Sequence, residues 1–230
     1  MNARAPWQAA APDAPAISFT LDGREVQARS GERLIDVADR EGVEIPRLCY
    51  KPGLAQAGNC RACVVEIAGE RVLAPACCRT AGNGMTVTTG SERARKSQRL
   101  VLELLLADMP AQADARDNEL DTWAARLGVG KPRFAPRVQP PPDLSHPAMA
   151  VHLEACIQCT RCLRACRDEQ VNDVIGLAAR GAEMRIMFDM DDAMGASSCV
   201  GCGECVGGVR SLGQAAAAAE EAGIDAQFLA

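Results

Sequence analysis

The chain has 230 residues, with 12 cysteines, 3% aromatic residues and a formal net charge of −5. This length allows one large domain or two small ones, and the interspersed acids and bases give no reason to expect nucleic-acid binding. We find no apolar segment of signal-peptide or transmembrane length, so we expect a cytoplasmic protein whose cysteines serve metal or redox chemistry.

The chain opens with an Ala/Pro-rich leader, residues 1–16, followed by a predicted β-hairpin. Residues 17–21 and 24–29 alternate apolar and polar side chains, as half-buried strands do. Asp22 and Gly23 lie between these segments and suit a type I′ turn.

A helix is expected after the hairpin, with Ser30 as its N-cap and Gly42 just beyond its C-terminus. Its apolar stripe is Leu34, Val37 and Ala38. A hairpin followed by a helix packed on it is the opening of a β-grasp domain, which we assign to residues 17–90.

A first set of four cysteines lies in this domain with the spacing C-x10-C-x2-C-x13-C. Plant-type ferredoxins bind a [2Fe-2S] cluster with a related layout. The spacing favours Cys77 over its neighbour Cys78 as the last ligand, with Cys78 a buried apolar residue, but an exchange between the two stays open. Strands over residues 63–67 and 71–73 would return the chain to the site. The expected ligands are Cys49, Cys60, Cys63 and Cys77.

Residues 91–150 contain no cysteine and are expected to connect two domains. A helix should begin at Ser91 and end at Pro110. A short helical segment carries Trp123 and Leu127, and the proline-rich residues 131–147 should run extended. The expected buried face of the first helix is Leu100, Val101, Leu104 and Leu105.

A second set of cysteines occupies residues 151–209, in two motifs. The first has the spacing C-x2-C-x2-C-x3-C of bacterial ferredoxins, in which three thiolates hold one [4Fe-4S] cluster and the fourth reaches a second cluster. Disulfides or zinc fit less well, because cysteines this close do not easily pair and zinc sites favour two separated C-x2-C pairs. The motifs comprise Cys156, Cys159, Cys162 and Cys166, then Cys199, Cys202 and Cys205.

Between the motifs, residues 173–177 and 184–188 are apolar enough for short strands or helix edges, and residues 189–195 read as an acidic turn. Residues 210–230 form an Ala-rich tail. The expected fold class is therefore α+β: a β-grasp [2Fe-2S] domain, a helical and proline-rich connector, and a bacterial-type two-[4Fe-4S] domain.

In this order, the modules resemble the N-terminal iron-sulfur region of the α subunit of NAD-dependent molybdenum or tungsten formate dehydrogenases. The segments that carry the resemblance include GNCRACVVEIAGERVLA and FDMDDAMGASSCVGCGECV. Related regions occur in the large iron-sulfur subunit of complex I and in NAD-reducing and iron-only hydrogenases. The resemblance implies electron relay between a pterin-metal catalytic subunit and a flavin/NAD-binding subunit, with no catalytic centre in this chain and no membrane insertion.

Three departures from the family pattern affect these expectations. A cluster that many relatives bind after the basic helix should be absent, because Met109 stands near its histidine position. The second motif should continue to a cysteine at position 209, where this chain has Val209. The catalytic domain that follows in the family is not found in this sequence. We therefore expect either that the reading frame shifts after Val206 or that the chain is a true short subunit.

The change at position 209 leaves one cysteine trio without a fourth ligand. By the crossed ligation rule, Cys166 completes a [4Fe-4S] site with the second motif. The first motif is then left one ligand short, which predicts a [3Fe-4S] cluster, a [4Fe-4S] cluster with a non-protein ligand, or an empty site. The affected residues are Cys156, Cys159 and Cys162.

Other functions stay open from sequence alone. The chain could serve a hydrogenase or a complex I-like NAD oxidoreductase instead of a formate dehydrogenase. It could also be a non-catalytic scaffold or a zinc-stapled module. His146 and His152 are the only histidines, and His152 is expected to be a surface residue or to act beyond the direct ligands.

Overall fold

The computed structural model describes residues 10–109, apart from residue 12, and residues 118–209. The chain divides into two units. The first is Met1–Tyr50 with Gln56–Pro136, and the second is Lys51–Ala55 with Arg137–Ala230. The start of the leader and the whole Ala-rich tail lie outside the described residues.

The predicted hairpin is confirmed. Strands β1 (Ala16–Leu21) and β2 (Arg24–Arg29) pair antiparallel. Asp22 has φ 47° and Gly23 has φ 82°, the two positive values that a type I′ turn requires.

Helix α1 (Leu34–Arg40) has the predicted buried stripe but a different start. Ser30 is not its N-cap. The cap is Arg33, which forms an isolated β-bridge with Thr80, so the backbone stays extended up to that residue and the helix can begin only after it. Gly42, with φ 72°, lies just past the helix as predicted.

Three more strands complete a five-stranded sheet of order β2-β1-β5-β3-β4. Strand β5 (Thr86–Thr88) lies between β1, to which it is parallel, and β3 (Val64–Ile67), to which it is antiparallel. The return strand expected at residues 71–73 is wrong, because pairing with β3 occurs at β4 (Ala74–Pro75). The core between sheet and helix includes Phe19, Leu21, Leu34, Ile35, Val37, Val65 and Val87.

Helix α2 (Glu92–Asp108) starts as predicted, with the Ser91 side chain accepting from the Ala94 backbone N–H at 3.1 Å. Its predicted buried face is wrong: Leu100 is 41% exposed and Leu104 is 44% exposed. The buried side chains of the helix instead recur every four residues, because the helix packs on β3 through its polar Gln98. They are Ala94, Gln98 and Leu102. Pro110, the expected stop, lies outside the described residues.

Helix α3 (Glu119–Leu127) confirms the short helical segment around Trp123. The side chain of Asn118 caps its N-terminus and Gly128 ends it in the left-handed conformation. The helix buries Leu120 and Ala124.

The second unit contains two small antiparallel ladders. Of the two alternatives left open for the segments between the motifs, strands are correct: β8 (Ile175–Ala178) and β9 (Arg185–Phe188) lie within two residues of the predicted bounds. Strands β6 (Asp143–His146) and β7 (Met149–Val151) were not predicted, and β6 falls in the stretch expected to be an extended spacer.

Short helices carry the later cysteines of the two motifs of this unit. Helix α4 (Arg161–Arg164) continues into a π-helical turn (Ala165–Glu169), and α5 spans Glu204–Val209. The acidic turn is confirmed, and Asp189 in it accepts hydrogen bonds from the Ser198 backbone N–H at 2.6 Å and hydroxyl at 2.9 Å.

Candidate metal centres

The first cysteine set converges on the edge of the sheet in the first unit. Cys49 follows α1, Cys63 directly precedes β3, and Cys77 comes two residues after β4. The β3–β4 pairing continues as a hydrogen bond from the Ala76 N–H to the Cys63 carbonyl at 3.0 Å, which fixes Cys77 beside Cys63. Cys49, Cys63 and Cys77 are buried and Cys60 is half-buried.

Side-chain hydrogen bonds join the four thiols into one group. Cys49 contacts Cys60 and Cys77, and Cys77 also contacts Cys63. The contact with Cys49 and burial raise the pKa of the Cys60 thiol, and contacts with Cys49 and Cys63 raise the pKa of Cys77. The pKa of Cys63 is lowered because its sulfur accepts a hydrogen bond from Cys77. Such crowded thiols do not ionise together without a cation, so the donor set fits a cofactor that binds as a cationic centre.

Backbone donors also face this group. The Cys49 N–H donates to the Cys60 sulfur at 3.4 Å. Arg61, between two of the cysteines, has φ 58°, and in the preceding loop Gly58 has φ 62°. Left-handed residues turn successive N–H groups toward a common centre, which is how loops surround anionic sulfur.

Cys78 is not the buried residue that we expected. Its side chain is exposed, and its sulfur lies 3.6 Å from that of Cys77. A Cβ on Gly58 would lie 2.7 Å from the Cys78 sulfur, so glycine at position 58 leaves room for this thiol. The tight turn in which the Cys78 N–H bonds to the Pro75 carbonyl separates the directions of the neighbouring side chains.

The seven cysteines of the second unit fall into two neighbouring groups. Burial and the nearby Cys159 and Cys156 raise the pKa of Cys162 to about 12. Burial and the nearby Cys199 and Cys202 raise the pKa of Cys205 to about 11.

A cavity marks the group that contains Cys205. The cavity is lined by one cysteine of the first motif and three of the second, and its other lining residues are mostly apolar. Crossed ligation would use this combination of thiols, and the ligand assignment itself stays a prediction. The cysteines that line the cavity are Cys166, Cys199, Cys202 and Cys205. The apolar part includes Met149, Val174, Ile175, Phe188 and Met194.

The two motif loops share left-handed residues at matching positions. Gln158 and Thr160 have φ 55° and 58°, and the matching Gly201 and Gly203 have φ 69° and 79°. In each loop the N–H two residues after the first cysteine donates to that cysteine's sulfur at 3.4 Å. The first loop adopts this geometry without glycine, which costs roughly 1 kcal/mol or more per residue.

Two buried arginines in the first motif were missed from sequence. Arg161 is 4% exposed and Arg164 is 3% exposed. Arg164 donates to the Thr160 carbonyl at 3.2 Å, the Cys159 carbonyl at 3.3 Å and the Ala55 carbonyl. Two arginines three residues apart, on either side of a predicted ligand, were the available signal.

A further polar contact supports the loop that carries Cys156. Arg137 and Gln158 both donate to the Met184 carbonyl, Arg137 at 2.8 Å. The Gln139 amide lies 3.5 Å from the Cys156 carbonyl. These contacts hold the loop against the start of β9.

His152 lies outside both groups. Its imidazole is half exposed, with Nδ1 2.9 Å from a carboxylate oxygen of Glu154. Within the described ranges, no three His, Cys, Asp or Glu side chains are spaced for a single metal ion. None of the described helices is both long and apolar enough to cross a membrane.

Comparison with known proteins gives a match for the first unit. Residues 14–92 match the family described as "2Fe-2S iron-sulfur cluster binding domain". The match covers the hairpin, the sheet and the first cysteine set.

Longer proteins match most of the chain. The mitochondrial NADH-ubiquinone oxidoreductase 78 kDa subunit of Candida albicans is 35% identical over 177 residues, 74% of this chain and 25% of that protein. The Bacillus subtilis protein YrhE, provisionally named a formate dehydrogenase, is 30% identical over 186 residues, 77% of this chain and 19% of that protein. The chain thus spans about a fifth to a quarter of these relatives.

A solved structure is similar over most of the chain. The crystal structure of an NAD⁺-reducing [NiFe]-hydrogenase in the H₂-reduced state has a TM-score of 0.73 and 28% identity, covering 80% of each chain. The relatives support a link to NAD-dependent oxidoreductases, among which formate dehydrogenase is not singled out.

Proposed function

We propose that this chain relays electrons through a series of iron-sulfur clusters, because residues 14–92 match the 2Fe-2S iron-sulfur cluster binding domain family. The observation that carries the proposal is the convergence of four mostly buried thiols in the first unit. We assign the [2Fe-2S] cluster to Cys49, Cys60, Cys63 and Cys77.

The second unit would extend the relay with [4Fe-4S] chemistry. The cavity described above supports a complete site, because three of its thiols come from one motif and the fourth from the other. We assign that cluster to Cys166, Cys199, Cys202 and Cys205. The remaining trio, Cys156, Cys159 and Cys162, would hold a cluster with only three protein ligands.

Iron-sulfur clusters supply reversible one-electron transfer, at roughly −400 mV for plant-type [2Fe-2S] centres. The protein's part is to hold the thiolates, exclude water and place N–H groups near sulfur. Burial of Cys49, Cys63 and Cys77 keeps water from the first set. Donors such as the Cys49 N–H and the Gln158 N–H stabilise negative charge on sulfur and so favour the reduced state.

The partners that we propose are a catalytic metal subunit and a flavin/NAD-binding subunit. Relatives named as an NADH-ubiquinone oxidoreductase subunit, a formate dehydrogenase and an NAD⁺-reducing hydrogenase support this setting. We propose a formate dehydrogenase-like complex as the specific case. A hydrogenase or a complex I-like oxidoreductase is the second candidate, favoured by the hydrogenase structure that matches 80% of this chain.

The test is anaerobic purification of the full chain, followed by iron, zinc and acid-labile sulfide analysis and EPR of the reduced protein. We expect iron and sulfide in near-equal amounts and signals from more than one reduced cluster. A zinc-containing protein without sulfide would refute the relay. Co-purification with formate-, hydrogen- or quinone-linked subunits would distinguish the candidate complexes.

A further inference from the structure

The two motifs of the second unit repeat one another up to their last position. The first three cysteines of each correspond, as do the left-handed residues between them. The fourth cysteine of the first motif, Cys166, corresponds to Val209 in the second. Under crossed ligation, the residue at position 209 would complete the site of Cys156, Cys159 and Cys162. Valine carries no donor atom, so that site lacks its fourth thiolate.

Helix α5, whose last residue is at position 209, lies beside the helix of the first motif. Helix α5 packs on α4: a Cβ built on Gly208 would lie 3.1 Å from the Ala165 Cβ and 3.4 Å from the Arg161 carbonyl oxygen. Position 209 therefore follows directly on a contact with the first motif's helix.

The two histidines of the second unit each contact a near neighbour in sequence through Nδ1. His146 accepts the Ala148 N–H through Nδ1 at 3.1 Å, and His152 contacts Glu154. The sequence after Cys205 contains neither cysteine nor histidine. Fe–S clusters are held by thiolates, with histidine as the known replacement.

We infer that the cluster at Cys156, Cys159 and Cys162 has one exchangeable iron, released to and taken up from solution as Fe²⁺. The inference rests on the proposed function. On release, a [4Fe-4S]²⁺ core becomes [3Fe-4S]⁺ and Fe²⁺, and one electron passes to an added oxidant. On uptake, a reductant returns that electron and Fe²⁺ binds. The half-buried state of the three thiols gives small ions access.

The experiment uses the full chain, reconstituted anaerobically. The protein is oxidised with ferricyanide in the presence of a chelator, and then reduced with dithionite and supplied with Fe²⁺. Iron per chain and the EPR signal of a three-iron cluster are followed. We expect wild type to lose and regain one iron per chain, V209A to behave like wild type, and V209C to keep its iron.

Equal release from wild type and V209C, or equal resistance in both, would overturn the inference. If V209C does not accumulate, iron-57 added back to oxidised wild type gives a second measurement by Mössbauer spectroscopy. Label in a single iron position supports the inference, and label in none or in several overturns it. A variant lacking all three cysteines that binds as much iron as wild type would instead remove the trio from the proposed function.

Discussion

The side-chain amide of Gln98, in the middle of α2, donates to the main-chain carbonyl of Val64 at 2.9 Å. Gln98 is 2% exposed, so this bond lies in the interior of the first unit. Val64 directly follows Cys63 in the chain. The helix therefore holds the strand that carries one of the proposed ligands.

Replacing Gln98 by Met should destabilise the protein by about 1–3 kcal/mol, because the Val64 carbonyl would be left buried without its donor. Urea unfolding measures this loss. Gln170→Met, at an exposed position, is the control and should change stability by less than about 0.5 kcal/mol. Equal effects of the two substitutions would contradict the importance of the buried bond.

Neighbouring cysteines 77 and 78 should respond differently to substitution. Cys77→Ser removes a buried thiol that contacts Cys49 and Cys63, so we expect loss of the [2Fe-2S] EPR signal and about two fewer irons per chain. Cys78→Ser is the matched control and should keep both. Loss of the signal in the Cys78 variant alone would assign the ligand to Cys78.

Gly195 should not tolerate a side chain. A Cβ there would lie 2.3 Å from the Ser145 carbonyl oxygen, a backbone atom of β6 that cannot move aside alone. We expect Gly195→Ala to destabilise the second unit by about 1–3 kcal/mol or more. Gly207→Ala, with nothing within 4 Å of its added carbon, is the control and should be neutral or stabilising. Thermal unfolding of both variants provides the comparison.

The carboxylate of Glu103 should make the folded protein less stable as the pH falls into the acid range. Arg133 donates to it from its backbone N–H at 3.0 Å and from Nε and a terminal nitrogen at 2.7 Å each. The side-chain hydrogen bond from Arg133 lowers the pKa of Glu103 from 4.5 to about 2. Because the folded-state pKa is depressed, the stabilisation is present above pH 4.5 and is lost as pH falls toward 2.

Glu103→Gln should therefore lower the melting temperature at neutral pH and flatten its decline between pH 4.5 and 2. Glu25→Gln removes an exposed carboxylate on β2 and serves as the control. A melting temperature with the same acid dependence in wild type and the Glu103 variant would contradict this prediction.

The sequence pattern was sufficient to predict structure where interactions between neighbouring residues determine the conformation. The turn at Asp22 and Gly23 follows from the backbone preferences of these two residues. The ligand grouping that spacing predicts for the seven cysteines of the second unit stays a prediction.

Sequence reasoning failed where distant contacts decide. The bridge between Arg33 and Thr80 joins residues far apart in the chain and delays α1 beyond the Ser30 cap. The buried face of α2 was assigned to three leucines and a valine, but the helix instead buries Gln98, which donates to the Val64 carbonyl. Strand β6 was missed because its partner, β7, supplies the pairing that its own weak pattern does not reveal.

The paired motif loops of the second unit differ in how much freedom they must lose. Gly201 and Gly203 reach left-handed values without strain, whereas Gln158 and Thr160 reach them at a cost. Without metal, the two motif loops would therefore be expected to relax differently: the first by releasing strain, the second by gaining conformational entropy. Cluster assembly would then begin from two loops that differ in how closely their metal-free backbone matches the cluster-binding conformation.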